Sequence, residues 1–211
     1  MQEILINSPQ HDNPLVNFLA RYWRVLAAVA VAVVVVTGGY AGYTLVSGHN
    51  REKAIEALGS IIVEKTGTQR LSALENYLAS APSSIRAAVL LEIARTAQEQ
   101  KAFDKASGAW AQLANTAPPG TRELAVIGQS TALALGGNKT QAVAILSDFL
   151  PKAPKAFEII VARQLAVIAE EAKAWNEALA ANLKLAATEG LDPTTKAYYE
   201  AKAAAMKANM Q

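Results

Sequence analysis

The chain has no cysteine, only two histidines, and no stretch in which apolar and polar residues alternate as they do in a β-strand. Without cysteine there is no disulfide and no thiolate nucleophile, although the absence is compatible with any compartment. His11 and His49 lie at opposite ends of a long apolar segment, whereas a metal site needs several ligands that converge. We therefore expect no metal and no cofactor.

The chain also lacks a large excess of positive or negative charge. Twenty Lys and Arg residues against 18 Asp and Glu residues give a net charge of +2, without the concentrated basic patch that nucleic-acid binding requires. Gly38-Gly39 and Gly136-Gly137 lack the lysine and the strand-to-helix context of a phosphate loop. The adjacent carboxylates Glu170-Glu171 point in different directions on a helix. The sequence predicts neither an enzyme nor a nucleic-acid-binding protein.

One segment lacks charge altogether, since no residue between Arg24 and Arg51 carries a formal charge. A helix of about 20 apolar residues crosses a hydrocarbon core of about 30 Å. We predict a span at residues 25–46 within an anchoring helix at 14–48, after a flexible segment at 1–13. Residues typical of membrane interfaces lie near both ends of the span: Arg21, Tyr22, Trp23, Arg24, Tyr40 and Tyr43.

A cleaved signal peptide is an alternative interpretation of the same segment. The purest apolar run is Val25 to Val36, and the small residues Thr37-Gly38-Gly39 follow it. Signal peptides have short apolar cores followed by a cleavage site with small residues. On this interpretation the rest of the chain is a secreted soluble protein.

The sidedness of the predicted anchor depends on its basic flanks. Arg21 and Arg24 favour a cytoplasmic N-terminus, whereas Arg51, Lys53 and Lys65 follow the span on its other side. Long domains translocate largely regardless of such charges. We expect a single-pass protein of a bacterial inner membrane, with the N-terminus in the cytoplasm and the C-terminal domain in the periplasm.

Gly38 and Gly42 form a small-xxx-small pair inside the predicted span. Small residues one turn apart let a second transmembrane helix approach closely, where van der Waals contact drives association. We predict that these two glycines pack against another helix in the membrane.

The residues after the anchor are predicted to form an all-α domain. Ala, Leu, Glu, Lys and Gln, which are good helix formers, dominate this part. Apolar residues recur at helical spacing, for example at Ile55, Leu58, Ile61, Ile62, Leu90, Leu91 and Ala94.

Several features of this domain recur after 36 residues. Residues that stop a helix have this spacing: Pro82, Pro118, Pro154 and then Gly190. Alanines have it as well: Ala106, Ala142 and Ala178. We predict four helical hairpins, followed by a capping helix with a polar outer side and a tail. Their predicted limits are residues 51–86, 87–122, 123–158 and 159–192 for the hairpins and 193–211 for the cap.

The second repeat resembles a tetratricopeptide repeat. The large-apolar, apolar, small, alanine, aromatic, apolar and proline positions of that family are filled in order: Leu90, Ile93, Ala94, Ala106, Trp110, Leu113 and Pro118. The resemblance implies hairpins in which Ala94 and Ala106 allow close helix approach and Trp110 fills the next groove. Departures are Arg70 in place of alanine, Asn182 in place of the aromatic residue, and a repeat of 36 rather than 34 residues.

Repeats of this family bind partners along the concave surface formed by the first helix of each hairpin. The resemblance implies that nine residues lie on this surface: Leu91, Arg95, Gln98, Glu99, Ile127, Thr131, Arg163, Val167 and Glu170. Such a mixture of apolar and charged side chains suits an extended or helical polypeptide, with apolar contacts supplying most of the affinity.

An anchor followed directly by a few degenerate repeats is similar to the tetratricopeptide-like ancillary subunit family of the bacterial Sec translocon. This resemblance implies a membrane-anchored scaffold or chaperone-like accessory subunit that binds other subunits or unfolded polypeptide. Two other hypotheses stay open. One is a structural accessory subunit of another membrane complex of the energy-transducing type, and the other is the secreted repeat protein described above.

Overall fold

The computed structural model describes residues 50–210, and all regular secondary structure in this range is helical. The all-α prediction is therefore confirmed for this part of the chain. The predicted flexible segment, the anchoring helix at 14–48 and its pair Gly38 and Gly42 lie outside the described residues. Within residues 50–210, none of the helices has both the length and the apolar character needed to span a bilayer.

The helices follow one another with short connections. In chain order they are α1 (50–64), α2 (Gly67–Ser80), α3 (Ser83–Glu99), α4 (Phe103–Thr116), α5 (Thr121–Leu135), α6 (Lys139–Phe149), α7 (Lys155–Glu171), α8 (Trp175–Ala186) and α9 (Pro193–Ala208), with a 3-10 turn Leu150–Lys152 after α6. The helix α9 begins where the sequence predicts, because the Asp192 side chain accepts a hydrogen bond from the Thr195 N–H.

The helix ends repeat at the interval found in the sequence. The helices α4, α6 and α8 begin at Phe103, Lys139 and Trp175, which are 36 residues apart. The helices α3, α5 and α7 end at equally spaced residues: Glu99, Leu135 and Glu171. One structural unit of two helices is thus repeated along residues 83–186.

The prolines have a different role from the predicted one. Pro82 and Pro154 are the N-cap residues of α3 and α7, with nearly identical backbone angles, so they open the next helix after α2 and α6 have already ended. The predicted limits after residues 86, 122 and 158 consequently fall inside α3, α5 and α7. Each hairpin begins earlier than the sequence suggested.

Contacts between helices follow chain order. Each helix from α2 to α9 packs on its neighbour in sequence, and the contact between α5 and α7 is the principal one between helices that are not consecutive. The pairs α3/α4, α5/α6 and α7/α8 form helical hairpins, an arrangement compatible with a helical solenoid. The alanines repeated every 36 residues are fully buried where the helices meet: Ala106, Ala142 and Ala178.

Three turns inside the hairpins share one backbone geometry. Lys101, Gly137 and Lys173 have φ angles of 56°, 90° and 57° and are again 36 residues apart. The N–H of the following residue bonds in each case to the carbonyl five residues before it, at 2.8 Å. This left-handed residue and its hydrogen bond form the helix-ending motif that normally contains glycine.

Replacing Lys101 or Lys173 by glycine is expected to stabilise the protein by about 0.5–1 kcal/mol per site. A side chain in the left-handed region costs about 1–2 kcal/mol, and the entropy that glycine adds to the unfolded chain offsets part of the gain. The free energy of unfolding in urea, followed by circular dichroism, measures the effect. Gly137→Ala is the matched control and should destabilise; a loss of stability in Lys101→Gly would contradict the shared geometry.

Candidate protein-binding face

The structure leaves all nine predicted surface residues at least partly accessible. Leu91 and Val167 are 39% and 52% exposed. Arg95, Glu99 and Arg163 are also exposed, whereas four others are half-buried: Gln98, Ile127, Thr131 and Glu170. All nine lie on α3, α5 and α7, the first helices of their hairpins.

Two exposed residues that the sequence did not single out extend this surface. Leu124 on α5 and Ile160 on α7 are 54% and 50% exposed and are 36 residues apart. Each lies three residues before a predicted surface residue, Ile127 or Arg163, and therefore on the same side of its helix. Extending the set of surface positions, chosen from the tetratricopeptide resemblance, by one turn towards the start of each helix would have included both residues. We call Leu91, Leu124, Ile127, Ile160 and Val167 the apolar face.

Charged residues on α3 border the apolar face. Arg95 binds the carboxylates of Glu92 and Glu99 at 2.7 and 2.6 Å. The hydrogen bond to Glu92, followed by the charge of that carboxylate, raises the pKa of Arg95 above its ordinary value. Arg95 is therefore paired with two carboxylates of its own helix. Exposed ion pairs of this kind contribute little to the stability of the fold.

A groove between α7 and α9 continues the surface towards the C-terminus. Its volume is ≈ 430 Å³, and its lining includes Arg163, Val167, Glu170, Glu171, Tyr198 and Lys202. We call it the α7–α9 groove. It brings three predicted surface residues together with side chains of α9. The rings of Tyr198 and Tyr199 pack edge to face at its wall, with centroids 5.3 Å apart.

A polar network holds α9 against this groove. The Nζ of Lys202 donates to Oε2 of Glu170 at 2.6 Å, and this hydrogen bond raises the pKa of Lys202 above its ordinary value. Asn182, which is buried on α8, donates to the Ala178 carbonyl at 2.9 Å and to Oε1 of Glu170 at 3.4 Å. Asn182 thus contacts the carboxylate that binds α9.

The described residues offer no grouping suited to a metal ion: between residues 50 and 210, no three Asp, Glu or His side chains are placed to bind one. Comparisons with protein-family models, with curated proteins and with solved structures gave no match to the chain.

Proposed function

We propose that the chain is a membrane-anchored, tetratricopeptide-like scaffold that binds protein partners through the apolar face. It acts as an accessory subunit of an inner-membrane complex, and the family resemblance points to the Sec translocon. The observation that carries the proposal is the pair Leu124 and Ile160, two large apolar side chains exposed at equivalent positions of α5 and α7.

The apolar face has the composition of a protein-binding surface. Burying apolar area contributes about 25 cal/mol per Å², so a few large side chains covered by a partner supply most of the affinity. Leu124 and Ile160 lie on α5 and α7, which contact each other, and apolar side chains exposed on neighbouring helices mark interaction sites more often than isolated ones do. The half-buried amide of Gln98 on α3 can pair with the backbone of an extended or helical segment.

The predicted anchor and the repeats are close in sequence. The helix α1 is described from residue 50, and the predicted span ends at residue 46. A domain tethered to a membrane by so short a connection has a raised effective concentration towards any neighbouring membrane complex. In this proposal the N-terminus is cytoplasmic and the repeats lie in the periplasm, where they contact other subunits or polypeptide that emerges from the complex.

Affinity purification of the full chain in mild detergent tests the proposal. We expect wild-type protein to recover a protein partner, and the double variant Leu124→Glu/Ile160→Glu to recover at least about tenfold less, because two buried apolar contacts are replaced by charges. Leu183→Glu on α8 is the matched control, since Leu183 is 52% exposed but lies outside the apolar face. It should recover as much partner as wild type.

The identity of the partner separates the open hypotheses. Translocon subunits support the proposed role, whereas subunits of an energy-transducing complex in fixed stoichiometry support the structural alternative. Equal recovery by wild type and the double variant would show that the apolar face binds nothing. A mature protein whose mass shows that residues 25–36 have been removed would favour the secreted form.

A further inference from the structure

The charges of the α7–α9 groove are paired, with one exception. Glu170 binds Lys202 at 2.6 Å, and Glu171 binds Lys139 at 3.0 Å. Arg163 has no carboxylate within ion-pair distance among residues 50–210. Arg163 is therefore the one charged side chain lining the groove that makes no ion pair among residues 50–210.

Large side chains surround this charge. Val167 is one turn after Arg163 on α7 and is 52% exposed, and Tyr198 on α9 is 56% exposed. Both line the groove together with Arg163, in a volume of ≈ 430 Å³ that can hold two or three side chains of a partner. A guanidinium beside apolar surface is less strongly hydrated than an ammonium and matches a carboxylate with two parallel hydrogen bonds.

We infer that the α7–α9 groove selects a polypeptide segment in which a carboxylate lies next to a large apolar side chain. The carboxylate of an Asp or Glu residue binds Arg163, and the neighbouring apolar side chain packs on Val167 and Tyr198. This inference rests on the proposed function and assigns the chemistry of the partner at one end of the surface. Charge complementarity determines whether the preferred segment is acidic or basic. A basic segment would be repelled by Arg163, the one cation of the groove that makes no ion pair among residues 50–210, so the preferred segment is acidic.

Selection of peptides from a random 12-residue phage library on the immobilised full chain in detergent tests this preference. Wild type is expected to enrich peptides that carry Asp or Glu within two positions of a Leu, Ile, Phe or Tyr residue. Arg163→Met keeps the apolar stem and removes the charge. It should keep the apolar enrichment, lose the acidic one, and bind the best synthetic acidic peptide about three- to tenfold more weakly.

Arg122→Met is the matched control. Arg122 is an exposed arginine on α5 that lies outside both the apolar face and the α7–α9 groove, and its Nη2 donates to the Ala117 carbonyl at 3.4 Å. Its replacement should leave the acidic preference unchanged. Loss of that preference in Arg122→Met and its persistence in Arg163→Met would overturn the assignment of the groove.

The outcomes separate this inference from the proposed function. Apolar peptides enriched without acidic residues would overturn the inference alone. No enrichment over the starting library would overturn both. A dimer of the wild-type chain that becomes monomeric in Val167→Glu, by light scattering before the selection, would show that a second copy covers the groove and would also overturn the inference.

Discussion

Replacing Gly128 by alanine is expected to lower the free energy of unfolding by up to about 2 kcal/mol, although alanine is the better helix former. A Cβ atom at Gly128 on α5 would lie 2.6 Å from Cδ2 and Cε2 of Trp110 and 3.0 Å from its Cε3. Forcing a bulky ring to move in a packed interface costs about 1–3 kcal/mol, and helix propensity returns about 1 kcal/mol.

The effect should change sign when the ring is removed. In the background of Trp110→Leu, Gly128→Ala is expected to stabilise by up to about 1 kcal/mol, because only helix propensity remains. Gly59→Ala on α1 and Gly108→Ala on α4 are matched controls, since a Cβ atom at either site meets nothing within 4 Å. Urea unfolding of all variants gives the comparison. A stabilising Gly128→Ala in the wild-type background would contradict the contact.

This contact joins two hairpins. Trp110 lies on α4 of the second hairpin and Gly128 on α5 of the third. The resemblance to the tetratricopeptide family implied that Trp110 fills the next groove, and in the structure its ring lies beside Gly128 of the following helix. The sequence did not indicate that Gly128 contacts Trp110. A glycine inside a helix leaves room for a neighbouring side chain, but the sequence does not show which side chain fills that room.

The helical class and the interval of 36 residues could be predicted because several independent residues carry them. Pro82 and Pro154, the buried alanines and the Asp192-Pro193 start of α9 all point to the same units. Helix limits were less certain, because a proline both ends one helix and suits the start of the next. The turn shared by the three hairpins could not be predicted from the sequence. Lys101 and Lys173 occupy the left-handed position at which glycine usually indicates such a turn.

The surface could be predicted only in part. The tetratricopeptide resemblance implied that Arg163 and Val167 are accessible, and both are exposed on α7 in the structure. It missed Leu124 and Ile160, because the rotation of a helix about its axis decides which of several apolar residues are buried. The network of Asn182 with Glu170 depends on side chains from α7 and α8 that meet only in the folded hairpin.

A photoreactive phenylalanine analogue in place of Leu124 or Ile160 is expected to crosslink the chain to the same protein in intact cells. Both positions are about half exposed and lie on the apolar face, so a partner bound there covers both. At Leu183, which is equally exposed on α8, we expect no such product. The yield should differ by an order of magnitude or more, because photocrosslinking requires direct contact.

The measurement is the mass-spectrometric identification of the crosslinked protein at these three positions in otherwise unchanged full-length chain. We predict one shared membrane-complex partner at positions 124 and 160 and none at position 183. The same crosslinked protein at all three positions, or none at 124 and 160, would contradict the claim that the apolar face is the binding surface.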